Sequence, residues 1–149
     1  MPYLKVWLHI VWSTKFRRPL LTDDIRQTVF MHIKDNAKNQ GIYVDHINGY
    51  VDHVHCLIGL EADQTIAKTI QLLKGESAFW ANKHQLSNEK LEWQTNYFAV
   101  SVSESGIGLV RRYIRNQEAH HRRKTWAEEE KELAGKYGFV LRQDMETNT

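Results

Sequence analysis

A single cysteine, Cys56, stands in 149 residues. No internal disulfide can form, and a reducing compartment fits. No apolar run approaches the roughly 18 residues that a membrane-spanning helix needs. The opening residues, MPYLKVWLHIVW, show neither a basic leader nor a small-residue cleavage motif. The expectation is a cytoplasmic protein with no membrane partner. Repeats, low-complexity stretches and linker-like segments are also missing, so a chain of this length reads as one domain. Neither sign of charge dominates, the net value being +2.

The distribution of charge says more than its sum. Residues 1–20 carry Lys5, Lys15, Arg17 and Arg18 and no acid. Residues 111–124, RRYIRNQEAHHRRK, hold six bases and one acid, whereas residues 126–149 hold six acids against three bases. Two basic clusters in a near-neutral chain suit a phosphate-bearing partner, and solvated surface is the plainer alternative for either cluster alone.

Periodicity supplies an order of elements. KVWLHIVWS, 5–13, is rich in β-branched and aromatic residues and predicts a strand, followed by the basic loop TKFRRP. Thr22 suits an N-cap with Asp23 and Asp24 behind it, and Ile25, Val29, Ile33 and Ala37 repeat at helical spacing until Gly41. Strands are expected over 42–48 and 53–60. Asp63 is the expected cap of a second helix with the inner stripe Ile66, Ile70, Leu73, Ser77 and Ala81. Gly75 within it suggests the close approach of another backbone, a tolerated glycine being the alternative. A fourth strand over 96–103, a third helix over 107–121 capped by Ser105, and the charged helix AEEEKELAGK complete the chain. The order β-α-β-β-α-β-α predicts an α+β protein: a ferredoxin-like split βαβ antiparallel sheet with helices on one face, plus a further C-terminal helix.

Within VDHVHCLIGL, alternation sends His53 and His55 to one face and Val54, Cys56, Ile58 and Leu60 to the other. On this reading the histidines leave the free face of the sheet. Two imidazoles side by side suit chelation of one ion. Cys56 faces the wrong way for a tight zinc site, and a partly oxygen-ligated, open site suits Mg²⁺ or Mn²⁺. In the third helix Tyr113 and Gln117 stand at i and i+4, so that a phenol and an amide oxygen share one face. Packing alone is the plainer role of either pair.

The His-hydrophobic-His signature followed by YIRNQ, together with VWSTKFRRPLL, LLKGESA and WQTNYFAVSVS, resembles the single-tyrosine HUH transposases of small bacterial insertion sequences. That family includes the transposases associated with repetitive extragenic palindromes. The similarity runs from about residue 3 to 121. Asn116-Gln117-Glu118 stands where the palindrome-associated branch tends to have Asn-Pro, which favours the insertion-sequence branch. The resemblance implies a single transposase domain over 1–149, with a polar tail from about 137. It implies His53, His55 and Gln117 as ligands of Mg²⁺ or Mn²⁺ and Tyr113 as nucleophile. The helix that follows the fourth strand is then the tyrosine-bearing one. The activity implied is the cutting and rejoining of single-stranded DNA at hairpin-marked ends through a 5′-phosphotyrosine. Lys15, Arg17, Arg18, Arg111, Arg112 and Arg115 are candidates for the DNA backbone. The family also implies a homodimer in which the tyrosine helix of one subunit completes the metal site of the other. Competing readings are a domesticated or replication-initiator-like HUH nicking protein and a non-enzymatic ferredoxin-like module that binds nucleic acid.

Overall fold

The computed structural model describes residues 3–139. The polar tail expected from about residue 137 lies, beyond Phe139, outside the described residues. Four strands, β1 (Trp7–Ser13), β2 (Tyr43–Gly49), β3 (His53–Gly59) and β4 (Phe98–Val102), form one antiparallel sheet in the order β2-β3-β1-β4. Helices α1 (Arg26–Asn39) and α2 (Ile66–Lys83) connect them in the split βαβ manner. Then follow α3 (Ile107–Arg115), α4 (Gln117–His121) and α5 (Trp126–Tyr137). No helix among the described residues is long and apolar enough to cross a membrane.

The sheet separates two sets of side chains by strand alternation. Ile10, Trp12, Val54, Cys56 and Ile58 point into the main core, where they meet Val29, Phe30 and Ile33 of α1 and Ile70 and Leu73 of α2. The opposite face is covered too, and this corrects the expectation of a free face. Trp7 and Leu57 pack under Ile107 and Ile114 of α3. Val11 and Phe98 pack under Trp126 and Leu133 of α5. The physical reason is that the same alternation leaves large apolar groups on the second face, and the helices after β4 bury them.

Details of the elements also differ from expectation. Helix α1 starts at Arg26 because the Thr22 hydroxyl engages the Asp24 carboxylate rather than a helical N–H. Its end is set by Gly41, whose φ of +73° favours glycine. Thr65, not Asp63, caps α2, accepting from the Lys68 N–H at 3.2 Å. Ile66 is 37% exposed and Thr69 takes its place in the buried stripe. Among the described residues nothing lies within 4 Å of a Cβ built on Gly75, which is therefore a tolerated glycine and not a close approach. Ser105 sits in a 3-10 turn and caps nothing. The expected third helix breaks at Asn116 (φ −94°, ψ 17°), which separates α3 from α4. Between β2 and β3, a Cβ on Gly49 would come 2.1 Å from the His53 carbonyl oxygen. That glycine lets the hairpin close tightly beside the first histidine.

Candidate metal and tyrosine centre

β3 places His53 and His55 on the face beneath α3, α4 and α5, and both are 0% exposed. Each imidazole is held at Nδ1 by a partner outside the ring pair. The Asp52 carboxylate lies 2.8 Å from His53 Nδ1, and His9 Nε2 shares a 2.9 Å hydrogen bond with His55 Nδ1. His9 reaches this point because β1 pairs with β3, two residues from the His55 register position. Fixing Nδ1 frees Nε2 of both rings for a common target, the arrangement that orients imidazoles as metal ligands.

Gln117 Oε1 lies 3.2 Å from His53 Nε2, and Gln117 is wholly buried. Across the break at Asn116, Gln117 Nε2 still donates to the Tyr113 carbonyl oxygen at 3.3 Å. The Tyr113 ring centroid is 5.4 Å from that of His55, 6.0 Å from His9 and 5.5 Å from His120. The four residues picked out on sequence grounds therefore meet within one chain.

A fifth member comes from α5. Glu129 is buried, with Oε1 2.7 Å from His55 Nε2 and Oε2 3.9 Å from His53 Nε2. Oε2 also pairs with His121 Nε2 and lies 3.3 Å from His120 Nε2. His55 Nε2 and Glu129 Oε1 face each other without the alignment of a hydrogen bond, so two buried polar atoms converge on one point unsatisfied. Among the described residues, His53, His55 and Glu129 form one group able to hold an ion, and His120, His121 and Glu129 another. Trp126 closes the site by stacking on His53, centroids 4.5 Å apart at 17°.

The electrostatics follow from burial. Burial, then the neighbouring His55, lowers His9 to about 3. Burial lowers His55 to about 4 against the opposing pull of Glu129. Both rings thus stay neutral near pH 7, the form that donates a lone pair. Burial pushes the Glu129 carboxyl up, but His121 and His55 beside it outweigh that and hold it well below the usual carboxylate range. Burial, then the Glu129 charge, raises the Tyr113 phenol far above its ordinary value, with Gln117 opposing. The phenol is therefore protonated at rest.

The basic candidates divide. Lys15 pairs with Glu92 at 3.4 Å, Arg17 with Glu130 at 2.8 Å, and Arg18 with Glu89. Arg112 and Arg115 are exposed. Arg111 makes a two-pronged contact with Asp45, at 2.8 and 2.9 Å, across to β2. Burial raises the Asp45 carboxyl, but Arg111 and His46 prevail and hold it at about 2.

Sequence reasoning missed His9, Asp52, Glu129, His121 and Trp126. For Glu129 a signal existed: Trp126, Glu129 and Leu133 share one helical stripe, and an acid inside an otherwise apolar stripe needs a buried partner. His9 alternates with Trp7 and Val11 toward the same face, but only the strand pairing shows that it meets His55.

The family described as IS200-like transposases matches residues 3–117. The chain belongs to that family. The IS200-like match ends at Gln117, so α5 and its Glu129 lie beyond it. The ISDra2 transposase TnpA of Deinococcus radiodurans is 28% identical over 115 residues, spanning 73% of this chain and 81% of that protein. A solved structure of a candidate transposase from D. radiodurans R1 superposes with a TM-score of 0.60 at 28% identity, over 78% of this chain and 93% of that one. A palindrome-associated (REP) tyrosine transposase, solved bound to a REP hairpin, gives 0.61 at 16% identity, over 81% and 72%. At that identity it shows the shared fold alone. This IS200-like chain is thus a transposase on an α+β, ferredoxin-like frame.

Proposed function

We propose that this transposase cuts and rejoins single-stranded DNA at hairpin-marked ends, with Tyr113 as the nucleophile beside a divalent ion, Mg²⁺ or Mn²⁺. The observation that carries the reading is the convergence of His53, His55 and Glu129 ligand atoms on one buried point, with Gln117 Oε1 3.2 Å from His53 Nε2 and the Tyr113 ring 5.4 Å from His55. The residues fit an ion. His55 Nε2 and Glu129 Oε1 are buried and unsatisfied, and imidazole, amide and carboxylate donors together suit Mn²⁺ or Mg²⁺. His53, His55 and Gln117 would hold it, and while α5 is docked Glu129 would add a carboxylate oxygen. When bound, the ion supplies Lewis-acid polarisation of the scissile phosphate and stabilises charge on the leaving oxygen.

The chain's own residues do the rest. His9 and Asp52 hold the two imidazoles in place through Nδ1. Tyr113 Oη bonds to phosphorus as the bond from phosphorus to O3′ breaks, leaving a 5′-phosphotyrosine and a free 3′-hydroxyl. The phenol is protonated at rest, so its proton leaves to solvent in the same step. A proton from solvent completes the leaving hydroxyl. The phosphodiester energy stays in the adduct, and attack by a second 3′-hydroxyl rejoins DNA without ATP. Lys15, Arg17, Arg18, Arg112 and Arg115 exchange their present surroundings for phosphates. Hairpin DNA is the partner we infer; a REP-associated tyrosine transposase that shares this fold is solved bound to a REP hairpin. The assembly we favour is a homodimer.

The test is incubation with single-stranded oligonucleotides from the flanks of the chain's own gene. A covalent protein–DNA adduct on a denaturing gel, dependent on Mg²⁺ or Mn²⁺ and absent in Tyr113→Phe, is the expected result. No adduct with any flank in either ion rejects the reading.

A further inference from the structure

The turn between β1 and α1 holds an aromatic side chain out into solvent by unusual means. Phe16 has φ 59° and ψ 22°, and the next residue, Arg17, has φ 55°. Two adjacent non-glycine residues in the left-handed region are costly, and such conformations persist only where the surroundings enforce them. Here they do. Thr14 is fully buried. Its N–H donates to the Asp52 carbonyl at 2.8 Å and its hydroxyl to the Arg18 carbonyl at 2.7 Å, and the Lys15 N–H donates to the Glu92 carbonyl at 2.9 Å. The result is a pinned turn in which Phe16 is 58% exposed.

The surroundings of that ring are charged rather than apolar, with each basic side chain of the turn paired to a glutamate. Lys15 Nζ stands over it, 5.6 Å from the centroid, and Arg17 and Arg18 follow in the chain. Phe16 belongs to none of the apolar clusters. A protein partner would be met by a continuous apolar patch. An exposed aromatic face with one lysine over it and two arginines next in the chain instead fits an unpaired nucleobase, which offers a π-face to the ring and phosphates to those side chains. The acids that now face Lys15, Arg17 and Arg18 do so in partly exposed ion pairs, which phosphates can replace at small cost.

Position gives the contact a purpose. Ser13, the residue before the turn, pairs in register with His53, and Arg17 reaches Glu130, the neighbour of Glu129 on α5. The turn therefore lies on the rim of the histidine site. We propose that Phe16 is a stacking platform for one unpaired base of single-stranded DNA entering that site, with Lys15, Arg17 and Arg18 taking the adjoining phosphates. The inference rests on the reading of the centre as a single-strand DNA site, and deepens it by naming what fixes the register of the strand.

The experiment measures binding in excess chelator, where cleavage cannot intrude, by anisotropy of labelled hairpins with unpaired tails. Each tail nucleotide is replaced in turn by an abasic one. Wild type should lose about 5- to 150-fold at one position, the range that a single base stacked on an aromatic ring commands. Phe16→Leu, which keeps an apolar side chain of similar bulk, should lose as much on the intact tail and become indifferent at that position. Phe16→Trp should restore the preference, and circular dichroism melting shows that both variants fold. Wild-type binding by Phe16→Leu, or an equal loss at every abasic position, overturns the proposal. If the positional coupling is present and wild type forms no adduct, the cleavage reading fails alone. If the adduct forms and the coupling is absent, the Phe16 reading fails alone.

Discussion

At Tyr113 the substitution to Phe removes one oxygen and leaves a ring that still packs against His9 and His55. Adduct formation should vanish while hairpin binding stays within about twofold of wild type, read by gel and by anisotropy. His9 is a sharper case, because its Nε2 holds His55 at Nδ1 without touching the ion's position. Removing such an outer partner typically lowers metal affinity by about 10- to 100-fold. His9→Ala should therefore weaken Mn²⁺ binding by that order, measured by electron paramagnetic resonance of free Mn²⁺, whereas His55→Ala should abolish it. An unchanged affinity in His9→Ala would show that the bond carries no orientation. At this scale the sequence disclosed what a single strand or helix can bring together: His53 with His55 by alternation, Tyr113 with Gln117 by helical spacing. It hid what pairing and docking bring together. His9 joins through the register of β1 on β3, and Glu129 arrives on a helix whose docking place no local pattern specifies.

The order and type of elements were legible because each hydrophobic stripe has one period, and the split βαβ order then leaves one sheet arrangement. Two features of the elements were not legible. The break at Asn116 is a single non-helical residue, after which α4 carries Gln117 and His121 inward together, both buried. Helix α5 reads as a charged surface helix, yet its thin stripe of Trp126, Glu129, Leu133 and Ala134 is buried. Its docking closes over His53 and His55, so a phosphodiester reaches them only when α5 shifts. Hydrogen exchange should check this: amides across Trp126–Tyr137 should exchange faster once hairpin DNA is bound. Leu133 packs on Val11 and Phe98, and trimming a buried leucine to alanine costs about 2–5 kcal/mol. Leu133→Ala should thus raise exchange in α5 before DNA is added. Protection of α5 that is the same with and without bound DNA would mean that the strand reaches the site with the helix in place.

For the whole molecule, two neutral imidazoles buried under helices make stability depend on pH. His9 is lowered to about 3 and His55 to about 4 when folded, against about 6.5 for an unfolded histidine. Below about pH 6.5 the unfolded chain takes up protons that the folded chain refuses, so stability falls as pH drops from 6.5 toward 4. Thermal melting without metal should show a midpoint that declines over that window, and His9→Gln should make the decline shallower. A midpoint flat between pH 7 and 4.5 would contradict the buried, neutral rings.

Assembly is the last question of scale, and it bears on how the centre works. A transposase holds two DNA ends, so two active sites are the minimum, and a twofold dimer is the commonest way to provide them. Within one chain Tyr113 already stands beside His55. Exchange of the segment after β4 between two chains would preserve every contact of the centre and change only which chain supplies the tyrosine, Gln117 and Glu129. The turn Glu104–Gly106 and Gly108 are the natural place for such a crossing, and among the described residues β4 is an edge strand with one side unpaired. Val6, 37% exposed, and Val100, half-buried, are apolar residues on or near that edge. Mixing Tyr113→Phe with His55→Ala under conditions of subunit exchange separates the two arrangements. With exchanged segments, a mixed dimer has one centre carrying both defects and one carrying neither, so at statistical mixing part of the adduct signal should return. With each centre built from one chain, every centre keeps a defect and no signal returns. We expect recovery. Its absence despite verified exchange would fix the tyrosine and the histidines on the same chain, and a monomer at working concentration would remove the dimer altogether.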